Sequence, residues 1–254
     1  MFPTPVTPET VPAFRAACAH EHIFGSKALT ALLAHGLTND SHRFFHCGEN
    51  AALWLSQGVL TVSAAEHFDP APIAQLARQE AVHEIDLSLA HARILREALG
   101  GTLESSCFMV YEGDPQPPAC PEMRPGELPA VFEILQQSHE YYRTHLSFEA
   151  WSADLSCRLD CGLSELWQLS LDGRPVGTAS IASEDAECAV IAAVAVIPEY
   201  RHRGCATLMT RELVHRIQQK GKTPRLLAGY DAVANLYKKI GFAACGLWGE
   251  LYLP

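Results

Sequence analysis

No apolar run in the sequence approaches the ~18–20 residues that a membrane-spanning helix needs. The opening segment, MFPTPVTPETVPAF, is broken by prolines, has no basic residue before Arg15 and no apolar block, so a secretory leader is not expected. Cys-x-x-Cys pairs are also lacking. The nine cysteines run from Cys18 to Cys245, and the closest two, Cys157 and Cys161, stand at helical spacing. An odd, scattered set fits reduced thiols in a cytoplasm better than a disulfide framework or a zinc ribbon. Histidines number twelve, yet His-Glu-x-x-His is missing: neither His20–His22 nor His83–His91 has the step that puts two ligands on one helix face. No metal is therefore expected. Basic residues are scarce, 19 against 29 acids for a net charge of −10, whereas a nucleic-acid binder normally presents a basic surface. Neither a nucleic-acid nor a membrane partner is expected; the location is read as cytoplasmic, the assembly as monomer or homodimer.

What is present suffices for a packed interior. A 48% hydrophobic chain of 254 residues fits one large or two modest domains. The clearest boundary is EGDPQPPACPEMRPGELP, Glu112 to Pro129, whose six prolines and two glycines suit neither a helix nor a central strand. It divides the chain into an N-terminal domain, 1–111, a linker, 112–126, and a C-terminal domain, 127–254.

The C-terminal half is strongly punctuated. ELPAVFEILQQSHEYYRTHL reads as one helix and SFEAWSADLSCRLD as a second, capped by Ser147. Two alternating runs flank Asp172-Gly173, a hairpin signature. ECAVIAAVAVI is apolar enough for a sheet centre. Met209, Leu213 and Ile217 recur every four residues on an amphipathic helix. A short strand, PRLLAGY, precedes a helix capped by Asp231 and ended by Gly241, and a last strand closes the chain. His83–Gly113 lies over Arg225–Pro254 at an offset of 142, with Ala92 over Ala234 and Leu95 over Tyr237, so the halves read as an internal repeat. Upstream in the first half, AALWLSQGVLTVSA reads as a hairpin and PAPIAQLARQ as a helix.

Between the apolar strand and the amphipathic helix runs VAVIPEYRHRGCATLMTRE. A helix N-terminus presents unpaired amides and the positive end of the helix dipole, which suits a phosphate that can come close. Gly204 and Ala206 are small, and Arg201 and Arg203 add charge able to engage phosphate oxygens with two donors. Nine of the 19 bases lie between Arg201 and Lys239, which reads as a local positive field for a small polyanion. Some thirty residues later comes ANLYKKIGF, with Asn235, Tyr237 and a closing Gly-Phe.

These two segments together resemble the GNAT superfamily of acyl-CoA-dependent N-acyltransferases. The family's loop reads Arg/Gln-x-x-Gly-x-Gly/Ala, and here it is Arg201-His202-Arg203-Gly204-Cys205-Ala206. The resemblance covers about 127–254. It implies an α/β fold with a mixed, mostly antiparallel sheet flanked by helices, in a tandem arrangement whose N-terminal half is a degenerate GNAT-like domain. It implies acetyl-CoA as co-substrate, with Arg201, His202, Arg203, Gly204, Cys205, Ala206 and Thr207 around its pyrophosphate. Val194, Ala195 and Val196 would lie along the pantetheine arm, beside Asn235. Tyr237 would protonate the departing thiolate, a fair match for a phenol of pKa near ~10. The acceptor would be a primary amine of a small molecule or peptide. The strand glutamate that some members use as a base is replaced by Val190, eleven residues before Arg201. Glu184, Asp185 and Glu187 read as solvated turn residues, and Glu140, Tyr141 and His145 remain as unassigned proton acceptors. The rival reading is a non-catalytic acyl-CoA-binding sensor or structural module. Cys205 as a nucleophile is discounted.

Overall fold

The computed structural model describes residues 2–144, 146–229 and 231–254, without the side chains of Asp231 and Ala232. His145, named above as a proton acceptor, and the side chain of Asp231, named as a cap, lie outside the described residues. The chain forms two compact units. The first comprises Met1–Phe108 with Ala228–Tyr230 and Cys245–Pro254; the second comprises Met109–Leu227 with Asp231–Ala244. Each is a mixed, mostly antiparallel open sheet flanked by helices.

In the first unit, β1 (Thr4–Pro5) leads into α1 (Val11–Cys18) and α2 (His22–His35). Three antiparallel strands follow, β2 (His42–His46), β3 (Ala51–Ser56) and β4 (Val59–Ala64), then α3 (Ala71–Gln79), β5 (Glu84–Ser88) and α4 (Leu89–Leu99). Gln57 and Gly58 turn the β3–β4 hairpin with φ of 51° and 78°, the two positive values that a two-residue type I′ turn requires. β5 pairs parallel to β4, because a helix has carried the chain back across the sheet. Side-chain alternation then builds two cores. Leu53, Leu55, Leu60, Val62, Ile85 and Leu87 are buried with Ile73, Leu76 and Leu95 of α3 and α4. Phe44 and Ala52, on the other face, pack with Phe14, Ala17, Ala28 and Leu32 of α1 and α2.

The second unit repeats this course. β7 (Met123–Pro125) precedes α5 (Leu128–Ser138), α6 (Glu140–Thr144) and α7 (Phe148–Asp160). Then come β8 (Glu165–Leu171), β9 (Arg174–Glu184), β10 (Cys188–Val196), α8 (Cys205–Gln219), β11 (Thr223–Ala228) and α9 (Asp231–Ile240). Strand order is β11-β10-β9-β8-β7, with β10–β11 the parallel pair. Asp172 and Gly173 turn the β8–β9 hairpin at φ of 52° and 76°. Ser147 caps α7 by accepting the Ala150 amide. The single helix expected from 127 to 146 is instead two: His139 is extended (φ −134°, ψ 128°) and separates α5 from α6. An uninterrupted helical pattern carries no local sign of that break.

Two strands give residues to both units. β6 (Thr102–Tyr111) contributes 102–108 to the first and 109–111 to the second; β12 (Phe242–Tyr252) contributes 242–244 to the second and 245–252 to the first. The pairing of Trp248–Tyr252 with β5 accounts for the place of the last residues in the first unit.

The proline-rich segment is fastened to the second unit. The amides of Ala119 and Cys120 donate to Oε2 of Glu212 at 2.9 and 3.2 Å, and Nδ1 of His215 bonds the Gln116 carbonyl at 2.7 Å. The segment ends in β7, an edge strand, where prolines are tolerated. Among the described residues no cysteine is in a disulfide. Among the described residues no helix is long and apolar enough to cross a membrane.

Candidate active site

The site is built on one end of β10. From Ala189↔Glu184 to Ala192↔Ser180 this strand pairs with β9, with one residue extra on β9 between Val190↔Ser183 and Ile191↔Ile181; the pairing resumes at Ala195↔Thr178 with one residue extra on β10. That extra residue is a β-bulge, and Ala193 within it takes φ 51°, the left-handed region. An alanine there stores strain of order 1–2 kcal/mol, which the surrounding ladder holds in place. Ser180 donates its hydroxyl to the Ala192 carbonyl at 3.0 Å and braces the start of the bulge. On the other side, the parallel register with β11 ends at Ile191↔Leu226. The two strands cease to pair just before the bulge, so among the described residues this edge of β10 has no partner on β11 over 192–196.

The backbone past the bulge is aimed at that edge. The Ile197 amide donates to Val176, so Val196↔Gly177 is the non-bonded kind of antiparallel pair and the Val196 carbonyl points away from β9. Nε of Arg201 donates to that carbonyl at 3.1 Å, and the Ser138 hydroxyl donates to it at 3.2 Å. Both lone pairs of the Val196 oxygen are thus engaged inside the protein. Ser138 was not apparent in the sequence; a serine near the end of an amphipathic helix carries no distinguishing pattern. Its neighbour His139 sits by Arg201, and burial first, then that guanidinium, hold the imidazole pKa below its ordinary value.

Next comes the loop. Pro198–Tyr200 form a single 3-10 turn, His202 has φ 60°, and Gly204 has φ 82° as the residue before α8. A β-carbon on Gly204 would meet nothing within 4 Å, so it is the backbone angle that requires glycine, and the space above is open. No side chain caps α8, so its first-turn amides are not supplied with an internal acceptor. Arg201, His202, Arg203 and Gly204 are exposed, and Ala206 and Thr207 are half-buried. Arg203 lies over the Tyr200 ring at 4.8 Å, with Arg174 near the same ring at 5.9 Å. An exposed helix start without a side-chain cap, flanked by two arginines, has the geometry and charge that suit an anion. Cys205, by contrast, is 5% exposed and packs inward, as a loop residue lending its amide does.

Three of the nine bases behind the wider positive field expected from the last fifth of the chain are ion-paired. Arg216 pairs with Glu212 and lies over Trp167; Lys220 pairs with Glu165 and Glu184, and Lys222 with Glu184. Glu184 is therefore an ion-pair partner rather than a solvated turn residue, and Asp185 accepts the amides of Glu187 and Cys188. Lys220 also helps line a surface pocket of about 390 Å³ with Pro118, Glu212 and His215. That pocket sits at the C-terminal part of α8, whose 15 residues span about 22 Å, so it is remote from the loop.

Tyr237 is buried on α9, its ring 5.8 Å from that of Phe242, and Asn235 is exposed on the same helix. α9 follows β11, the strand that parts from β10 at the bulge. Val190 is 2% exposed and registered between Ser183 and Arg225, so no strand carboxylate stands there. Phe132 of α5 contacts Phe148 and Trp151 of α7 at ring separations of 5.5 and 5.1 Å, while Tyr141 on α6 is exposed.

Residues 128–242 match the family model described as acetyltransferase (GNAT) family. None of the curated proteins matches the chain. Among solved structures, the chain is similar to a GCN5-related N-acetyltransferase from Kribbella flavida, with 16% identity over 90% of this chain and 95% of that one, at a TM-score of 0.62. A GNAT-family acetyltransferase from Colwellia psychrerythraea shows 12% identity over all of both chains, TM-score 0.61. A tandem GNAT protein from the clavulanic acid biosynthesis pathway shows 11% identity over 98% of this chain and 97% of that one, TM-score 0.61. At these identities the likeness establishes the fold, including its tandem form.

Proposed function

We propose, from the match of residues 128–242 to the GNAT acetyltransferase family model, that the chain transfers an acetyl group from acetyl-CoA to a primary amine, by direct attack of the amine on the thioester. The observation that carries this reading is the adjacency of two devices at one end of β10: an uncapped helix start with a left-handed Gly204, and an unpaired strand edge interrupted by a bulge. The first fits a pyrophosphate, the second an amide-bearing arm that hydrogen-bonds like an added strand.

Acetyl-CoA supplies the activated acyl group. The amides of 203–207 hold its phosphates, with Arg201 and Arg203 adding charge. Arg201 is already braced by the Val196 carbonyl and so is pre-positioned. The Val196 amide and the polar groups of Val194 bond the arm, and the Val194 N–H polarises the thioester carbonyl. Asn235 supports the arm from α9. The amine nitrogen bonds to the carbonyl carbon, the carbon–sulfur bond breaks, and the sulfur takes a proton from Tyr237. The amine's excess proton passes to water, since Val190 offers no base, and water returns a proton to the Tyr237 phenolate. Holding both reactants in line supplies much of the acceleration. The acceptor is a small-molecule or peptide amine bound beside α5–α7, whose aromatic cluster offers apolar surface and whose Tyr141 offers an exposed phenol.

The test is thiol release from acetyl-CoA with a mixed panel of amines, run beside calorimetric binding of CoA. Amine-dependent thiol release supports the enzyme. Tight CoA binding without turnover on any amine would instead support a sensor, a reading favoured by the buried Val190. Absence of CoA binding would sink both.

A further inference from the structure

The first unit holds a group of side chains that acyl transfer does not use. Glu84 and Asp86 stand two apart on β5, so both project from one face of the sheet. On β12, Glu250 is registered directly opposite Asp86, and Tyr252 opposite Glu84. One ligand oxygen from each of Glu84, Asp86 and Glu250 lies within 4.8 Å of the others. The opposite face of the same strands, Ile85, Leu87 and Leu251, is core. Like charges facing each other across a strand pair are destabilising, so the arrangement needs a reason.

Asp86 points to that reason independently. The residue is 8% exposed, and its Oδ1 is buried with no hydrogen-bond partner. A buried carboxylate oxygen left unmatched is costly, and protein donors normally satisfy it. The surrounding charge is unbalanced as well. Lys27 on α2 is the cation that acts on all three carboxylates, and Glu104 adds further negative charge to Glu250 from β6. With one ammonium set against these carboxylates, the cluster is left with excess negative charge. Burial first, then the neighbouring carboxylates, push Glu250 up to about 7, and burial pushes Asp86 to about 7 despite Lys27.

We propose that Glu84, Asp86 and Glu250 form a binding site for a hard divalent cation of the calcium class, which ties the C-terminal strand β12 to β5 within the first unit. An all-oxygen set of three carboxylates suits such an ion. Calcium accepts irregular carboxylate geometry, whereas magnesium usually takes one or two carboxylates and keeps several waters. Two positive charges would offset much of the cluster's excess negative charge. Spacing along the chain could not show this site, because Glu250 reaches the other two only through sheet pairing.

The experiment uses the full chain, stripped with EDTA and dialysed at pH 7.5. Calcium, magnesium and manganese are titrated separately by calorimetry, and thermal unfolding is followed with and without each. The expected result is saturable binding of a single calcium ion. Tm should rise by about 5–10 °C at a concentration ~100 times Kd. In Asp86→Asn and, separately, Glu250→Gln, affinity should fall by at least about tenfold and the Tm shift should disappear. Glu250 is half-exposed, so its variant keeps the test open if the Asp86 variant fails to fold. The proposal is overturned if none of the three ions binds the wild type saturably, or if both variants bind as the wild type does.

Discussion

The two units follow the same order of strands and helices and part company at three consecutive places. In the first, β4 pairs with β3 in unbroken register from Ala51↔Ala64 to Ser56↔Val59. In the second, the corresponding β10 carries the bulge with Ala193 left-handed. After β4 the chain enters α3 through Pro70, and Asp69 accepts the Ala71 amide at 2.9 Å, so an internal carboxylate already sits at the helix start. After β10 it enters α8 through left-handed Gly204 with no side-chain cap and two arginines alongside. At the third place Leu95, fully buried, stands where the offset of 142 puts Tyr237. A sheet with one parallel crossover can therefore be built with or without a ligand site. The difference lies in whether the strand edge and the helix start are filled from within.

That comparison can be broken most sharply at Tyr237. Replacing it by Phe should lower kcat by ~10²–10⁴-fold with little change in the KM for acetyl-CoA, as loss of a proton donor does. Steady-state thiol release checks it, and an unchanged kcat would remove Tyr237 from the chemistry. Next, Gly204→Asp places a negative charge at the start of α8, as Asp69 does at α3. CoA affinity should fall by about 10²-fold or more, since like-charge juxtaposition costs several kcal/mol; calorimetry reads it.

The remaining two concern stability. Glu212 is 5% exposed and holds the proline-rich strap through two amides and Arg216. Burial raises its pKa, but those partners outweigh burial and hold it below 4.5. Its contribution is present above the unfolded pKa and lost as pH falls through the depressed folded value. Glu212→Gln should cost about 1–3 kcal/mol in urea unfolding at pH 7, and the loss should narrow as the wild type is acidified below ~4.5. Smallest is Asp69→Ala in the first unit: about 0.5–1 kcal/mol from the lost hydrogen bond to the Ala71 amide, with CoA binding untouched. A change in CoA affinity there would blur the distinction between the units.

Local features were legible because they depend on neighbours in sequence. The Asp172-Gly173 turn, the Ser147 cap, the four-residue step of Met209, Leu213 and Ile217, and the loop through Gly204 all stand as read. The split between α5 and α6 was not legible, because an extended His139 sits inside a continuous helical pattern. Nor was the fate of the C-terminal bases: Arg216 lies one helical turn from its partner, but Lys220 and Lys222 find theirs on other strands.

By itself the sequence determined most elements of the C-terminal half, its turns and caps, the repeat and the small-residue loop at Gly204, since periodicity, turn chemistry and small residues act over a few positions. Tertiary structure alone decided where β10 parts from β11, which oxygen Arg201 and Ser138 occupy, and that 245–252 pair within the first unit. It alone brought Glu250 to Asp86. Each is a contact between residues far apart along the chain, and only strand register and burial bring such residues together.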